Sequence, residues 1–207
     1  MERKVTALKV QKNNPNRINV YLDGEFIFGL ARIVAAWLQI GQTIGEDKIA
    51  KLQKQDSEET AFQKSIHFIS YRPRSEKEIR QKLTIKGYDE NTIEAVISRL
   101  CDNGLLEDQE FAKLWVENRT AFRPRSRRLL VVELREKGVA DDLIANAVVE
   151  IKSTEIENAR GICRKKYKES PASREDWAKQ ARFLQSRGFG FDVIKKVLNS
   201  TNDEDNL

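Results

Sequence analysis

From residue 61 onward, apolar side chains recur three and four positions apart, the spacing of one face of a helix, and the pattern is written three times. Phe62, Ile66 and Ile69 predict a first helix, Ile79 and Leu83 a second, and Ile93, Val96, Ile97 and Leu100 a third. The set returns as Phe111, Ala112, Trp115 and Val116, then Leu130 and Leu134, then Ile144, Ala147, Val148 and Ile151. A decayed third copy offers Ile156, Ile162 and Cys163, then Leu184, then Ile194, Val197 and Leu198. Helices this short hold only by packing on their neighbours. The pattern therefore predicts a mainly α fold of tandem three-helix repeats in an elongated arrangement, with units at 56–102, 103–152 and 153–200.

The breakers between helices keep the same register. Tyr71-Arg72-Pro73-Arg74-Ser75 reappears as Phe122-Arg123-Pro124-Arg125-Ser126, 51 positions later, and the same offset carries Lys86-Gly87 to Lys137-Gly138. Proline stops the first helix, and the serine caps the second through its hydroxyl oxygen. Ser75 with Glu78 reads as a capping box, and Asp176 holds the matched capping position in the third copy. Gly87, Gly138 and Gly188 end the middle helices, where a left-handed residue is needed. Leu105 and Leu106, in the turn before the second unit, are expected to seal the joint.

Ahead of the repeats, residues 1–55 read differently. Short β-branched stretches at 5–10, 18–22 and 25–29, broken at Asn13–Asn16 and at Asp23-Gly24, predict a small antiparallel β-meander. Ile33, Val34, Trp37 and Leu38 predict a covering helix over 31–40 that ends at Gly41, with Trp37 in the core. A second helix from Asp47 is expected to stop at the polar run 54–59, taken as the boundary with the repeats.

Composition narrows the functional classes. Lys and Arg number 37 against 32 Asp and Glu, so the net charge of +5 permits a basic stripe while a solvated helical surface accounts for most of it. No Walker loop, nucleophile elbow or HExxH is present, and the single histidine, His67, sits in a helical run where a structural role is expected. The expectation is a protein that is not an enzyme and takes no cofactor or metal. Cys101 and Cys163 stand alone and are expected as small buried thiols. With no apolar run of about 20 residues and no signal-peptide core, a monomeric cytoplasmic protein without membrane contact is expected, and its tail at 201–207 reads as disordered.

The candidate partner-binding residues are the arginines of the two repeated turns, Arg72, Arg74, Arg123 and Arg125, with Arg127 and Arg128 extending the second. A planar guanidinium fork suits carboxylates on a protein and phosphates on DNA alike. The competing reading has these arginines capping and pairing within their own helix turns. Tyr71 and Phe122 could stack on bases, but core packing is the expectation for both.

Arg74-Ser75-x-x-Glu78-Ile79-x-x-Lys82-Leu83-x-x-Lys86-Gly87, then Gly104-Leu105-Leu106-Glu107-Asp108-x-x-Phe111-Ala112-x-x-Trp115-Val116, then Glu133-Leu134-x-x-Lys137-Gly138 resembles the RecX regulatory family. The resemblance implies a non-enzymatic modulator that binds the RecA filament on single-stranded DNA and inhibits its ATPase, strand-exchange and coprotease activities in recombination and repair. The alternative is a helical DNA-binding protein acting by direct, salt-sensitive contact with single-stranded or duplex DNA. Against sequence-specific readout, residues 91–100 carry Glu94 and Arg99 but no cluster of base-reading side chains.

Overall fold

The computed structural model describes residues 2–149 and 151–199; the tail expected to be disordered lies outside the described residues. The chain divides into two compact units, Met1–Arg72 with Glu78–Leu106 and Pro73–Lys77 with Glu107–Leu207.

The first unit opens with strands β1 (Arg3–Gln11), β2 (Asn14–Leu22) and β3 (Glu25–Ala31), each longer than its apolar stretch. A two-residue strand β4 (Thr43–Ile44), which the sequence pattern did not announce, completes an antiparallel sheet of order β3-β2-β1-β4. Pro15 is tolerated in β2 because pairing with β3 begins only at Arg17. Asp23 and Gly24 both take positive φ, 53° and 90°, as a type I′ hairpin turn requires.

The expected helix over 31–40 shrinks to one turn, α1 (Arg32–Ala35). The backbone beyond it is drawn into the sheet: the Gly41 N–H donates to the Val5 carbonyl, and the Val5 N–H to Gln42. Leu38 still reaches the core with Val5, Val20, Leu22, Leu30 and Leu52. Trp37 does not; it is 86% exposed, because its place on a helical stripe vanished with the helix.

The polar run at 54–59 does not end a helix. A single helix α2 (Glu46–Tyr71) passes through it, and two of its acids hold opposite neighbours. Asp56 accepts from Arg17 Nη2 at 2.8 Å and from the Ala31 N–H, tying the helix to the sheet. Glu59, buried, accepts from Arg99 Nη1 at 2.7 Å. Arg99 and Glu59 thus join α2 to α4 (Glu90–Asp102). With α3 (Glu76–Ile85), these helices enclose Phe62, Ile79, Leu83, Ile93, Val96 and Leu100, the expected first three-helix core. Leu106 joins that core, whereas Leu105 faces solvent. Cys101 is exposed, contrary to the buried thiol expected, and His67 lies on the surface with its ring edge-on to Tyr71.

In the second unit, α5 (Asp108–Phe122), α6 (Arg127–Glu136) and α7 (Asp141–Ala147) surround Phe111, Val116, Leu130, Leu134 and Ile144. The next bundle, α8 (Ile151–Tyr167), α9 (Arg174–Ser186) and α10 (Phe191–Asn199), surrounds Ala159, Cys163, Leu184, Ile194 and Val197. Cys163 is buried and its thiol donates to Gln180 Oε1 at 3.2 Å. The cap of α9 is Ser173, whose oxygen accepts from the Asp176 N–H, so the cap lies three residues before the expected Asp176. Pro171-Ala172-Ser173 keeps the Pro-x-Ser spacing of Pro73-Arg74-Ser75 and Pro124-Arg125-Ser126, so the cap follows the proline and not the 50-residue register.

Candidate partner-binding surface

Within the second unit, two serine-centred turns are held in the same way. At the first, Ser75 Oγ donates to the Lys137 carbonyl at 2.7 Å, and the Glu76 N–H donates to Asp108 Oδ1 at 2.8 Å. At the second, the Ser126 N–H donates to the Arg187 carbonyl at 3.1 Å, and the Arg127 N–H donates to Glu155 Oε1 at 3.1 Å. Each turn therefore docks on the end of the following copy's middle helix, and an acid from that copy's first helix satisfies the free N–H behind the serine.

The glycines make this approach possible. Gly138 and Gly188 have φ of +84° and +85°, and an added Cβ would lie 2.7 Å from Lys77 Cβ in one case and 2.6 Å from Ser126 Oγ in the other. Gly87 has the same left-handed φ, +82°, with open space around it. Repetition of Ser and Gly in the sequence thus has two causes, helix termination and a close joint, and only the last two glycines carry both.

Asp108, in the family-like Gly-Leu-Leu-Glu-Asp stretch, is half-buried at this joint. Desolvation raises its carboxyl above the ordinary aspartate value, the Glu76 N–H pulling it back and the Glu76 charge adding to the rise. Its role is to fix the turn.

The six candidate arginines divide. Arg72 forms a two-pronged pair with Glu78 at 2.9 and 3.0 Å. Arg74 is half-buried. Arg125 lies with Nε 3.6 Å from Glu133 Oε1 in a crowded cluster, where Glu133 also accepts from Trp115 Nε1 at 2.9 Å and from Arg119 Nε at 2.8 Å. Arg123, Arg127 and Arg128 are exposed, and among the described residues no carboxylate lies within ion-pair distance of them. The register explains Arg123: the position of Glu78 is taken by Leu129 in the second copy, so the carboxylate that holds Arg72 has no counterpart.

Tyr71 and Phe122 are exposed by 74% and 78%, which corrects the expectation that both pack in the core. Each is the last residue of its helix, past the final layer of apolar contacts. Arg128 also lines a cleft of about 730 Å³ with Val132, Trp177, Arg182 and Phe191. None of these last four was singled out from sequence. Among the described residues no group of three or more His, Cys, Asp or Glu could hold a metal ion, and no helix is long and apolar enough to cross a membrane.

Comparison with known proteins matches these features segment by segment. The RecX N-terminal domain matches residues 3–45, and the first, second and third RecX three-helix domains match 61–100, 108–148 and 153–198. "Regulatory protein RecX" of Clostridium botulinum is 30% identical over 202 residues, covering 94% of each chain. The Bacillus subtilis protein of the same name is 31% identical, covering 97% of this chain and 79% of its own. A solved structure of regulatory protein RecX superposes with a TM-score of 0.76 at 25% identity, over 95% of this chain and 99% of the other. The RecX structure from Lactobacillus salivarius shares the fold, with a TM-score of 0.62 at 20% identity over 72% of this chain and 98% of the other. The repeated joints, the three-helix units and these likenesses agree: the chain belongs to the RecX family of regulatory proteins.

Proposed function

We propose that this chain binds the RecA recombinase filament on single-stranded DNA in the cytoplasm, and inhibits its ATPase, strand-exchange and coprotease activities without catalysing a reaction itself. The partner-binding residues are Arg72, Arg74, Arg123, Arg125, Arg127 and Arg128, with the second turn dominant. One observation carries this reading. Arg123, Arg127 and Arg128 stand in solvent with no carboxylate within ion-pair distance of their guanidinium groups among the described residues, on a turn whose backbone the joint holds fixed. A fixed backbone spares the cost of ordering the turn on binding, and an unpaired guanidinium has no internal ion pair to break before it meets a carboxylate or phosphate. Membership of a regulatory family supports a partner-directed role.

The test is ATP hydrolysis by RecA on single-stranded DNA, with this protein added well below the RecA concentration. Inhibition that persists in a large excess of DNA is the expected result. Relief of inhibition by added DNA would instead mean competition for the strand, the direct DNA-binding alternative, and no effect on hydrolysis would remove the reading.

A further inference from the structure

The cleft beside Arg128 lies in the second unit, walled by Leu129 and Val132 of α6, Trp177 and Ala181 of α9, and Phe191 and Ile194 of α10. Arg128 and Arg182 are its charged lining residues, both exposed, with no carboxylate in ion-pair distance among the described residues. No Asp or Glu lines it, in a chain with 32 of them. Phe191 is 66% exposed and meets Trp177 edge-on, ring centres 6.2 Å apart. The indole N–H already donates to Asn199 Oδ1 at 3.0 Å, so the polar edge of Trp177 is occupied and its carbon surface faces the cleft's apolar walls.

The preceding joint serves as an internal control. In the repeat register Trp177 corresponds to Arg127, Phe191 to Asp141, and Arg128 to Lys77. There the polar groups satisfy each other: Lys77 Nζ donates to the Glu136 carbonyl at 3.1 Å, and Arg135 pairs with Asp141 at 2.8 Å. The three-helix unit folds with an arginine and an aspartate at these two places, so repeat packing does not call for the aromatic rings.

We propose that this cleft docks a protein segment carrying a large apolar side chain between carboxylates. The apolar side chain seats against Trp177 and Phe191, and the carboxylates meet Arg128 and Arg182. Aromatic anchors and arginines are the residues that dominate protein interfaces, and a guanidinium takes a carboxylate through two parallel hydrogen bonds. A nucleic-acid groove would gather cations along a phosphate backbone, whereas here two cations border eight apolar side chains. The proposal rests on the filament-binding reading and adds the chemistry of the partner surface at one place.

The experiment introduces Phe191→p-benzoylphenylalanine into the full chain, binds it to RecA filaments on single-stranded DNA, irradiates, and maps the crosslink by mass spectrometry. The expected product joins position 191 to a RecA peptide with carboxylates within a few residues of a large apolar side chain. In parallel, Arg182→Glu should weaken co-sedimentation with the filament about tenfold, while Arg182→Lys stays within about threefold, both melting like the parent. A crosslink to DNA or to residues 200–207 of the same chain, or none from a chain that co-sediments, overturns the cleft and leaves filament binding intact. Failure of the unsubstituted chain to co-sediment removes both.

Discussion

The two joints of the second unit share a backbone and differ in what they show to solvent. Both bring a serine turn against a carbonyl just before a left-handed glycine, and both satisfy the N–H behind the serine with an acid from the following copy. At the first joint Lys77, Arg135 and Asp141 are engaged within the unit. At the second, Arg128 is left unpaired among the described residues, and aromatic rings stand where the first has Arg127 and Asp141. The repeated residues therefore build the joint, and the unrepeated ones decide what it can bind.

Breaking the shared part should have the largest effect. Gly188→Ala forces a Cβ into the left-handed region and against Ser126 Oγ, so a loss of about 3 kcal/mol is expected from backbone strain and overpacking together. Gly87→Ala meets open space and should lose about 1 kcal/mol from strain alone. Urea midpoints of the two variants measure the difference, and equal losses would mean that the close approach contributes nothing.

Changing the unshared part should alter binding and spare the fold. Replacing Arg123 and Arg128 with Glu and Arg127 with Gln is expected to weaken filament binding at least about tenfold with an unchanged melting temperature, because these side chains make no ion pair within the described residues and glutamine sets no second charge beside Glu155. Arg72→Glu should weaken binding less, and should cost up to about 1 kcal/mol of stability by setting a second acid beside Glu78. Co-sedimentation with RecA filaments and thermal melts separate the two outcomes. A triple variant that binds as the parent does removes the exposed arginines from the interface.

Much of this division is written in the sequence. The Ser126 cap, the left-handed Gly87, Gly138 and Gly188, the Asp23-Gly24 turn and the three apolar triplets are set by local geometry, and each lies where its chemistry demands. The exposure of Tyr71 was also legible at 100° per residue: it stands 200° around the helix from Ile69, away from the buried stripe. Trp37 was less so, since a helix over 31–40 was lost to a long-range pairing of residues 41–44 with β1 that no local pattern records. The polar run at 54–59 misled for the same reason, its acids answering Arg17 and Arg99 from 39 and 40 positions away. The cleft could have been found by laying the third copy on the second and asking why Trp177 and Phe191 replace charged residues.

Ser75→Ala tests a smaller piece of the joint. It removes the hydroxyl bond to the Lys137 carbonyl, and a loss of about 1 kcal/mol is expected in urea unfolding. Ser126→Ala should cost about the same through its other use of the hydroxyl, as acceptor for the Leu129 N–H at the cap of α6. Only the first loss should fall on the link to the following copy. Hydrogen exchange at the Glu76 amide should therefore quicken in Ser75→Ala and stay as in the parent in Ser126→Ala.

The smallest effect concerns the acid at the first joint, and its sign discriminates between charge and geometry. Burial raises the Asp108 carboxyl above the ordinary value of 3.8, so the folded chain holds this proton more readily than the unfolded chain. The stability it contributes is then greatest below that value and declines as pH rises from there through the raised folded value. Asp108→Asn keeps an oxygen to accept from the Glu76 N–H and removes the charge. Relative to the parent, the variant should gain stability between pH 4 and pH 7, read as the difference in urea midpoints so that every other carboxylate cancels. Asp108→Ala loses the acceptor as well and should be less stable than Asp108→Asn across the whole range. If the asparagine variant instead falls behind the parent as pH rises, the carboxylate's charge holds the turn and desolvation is the lesser force at this joint.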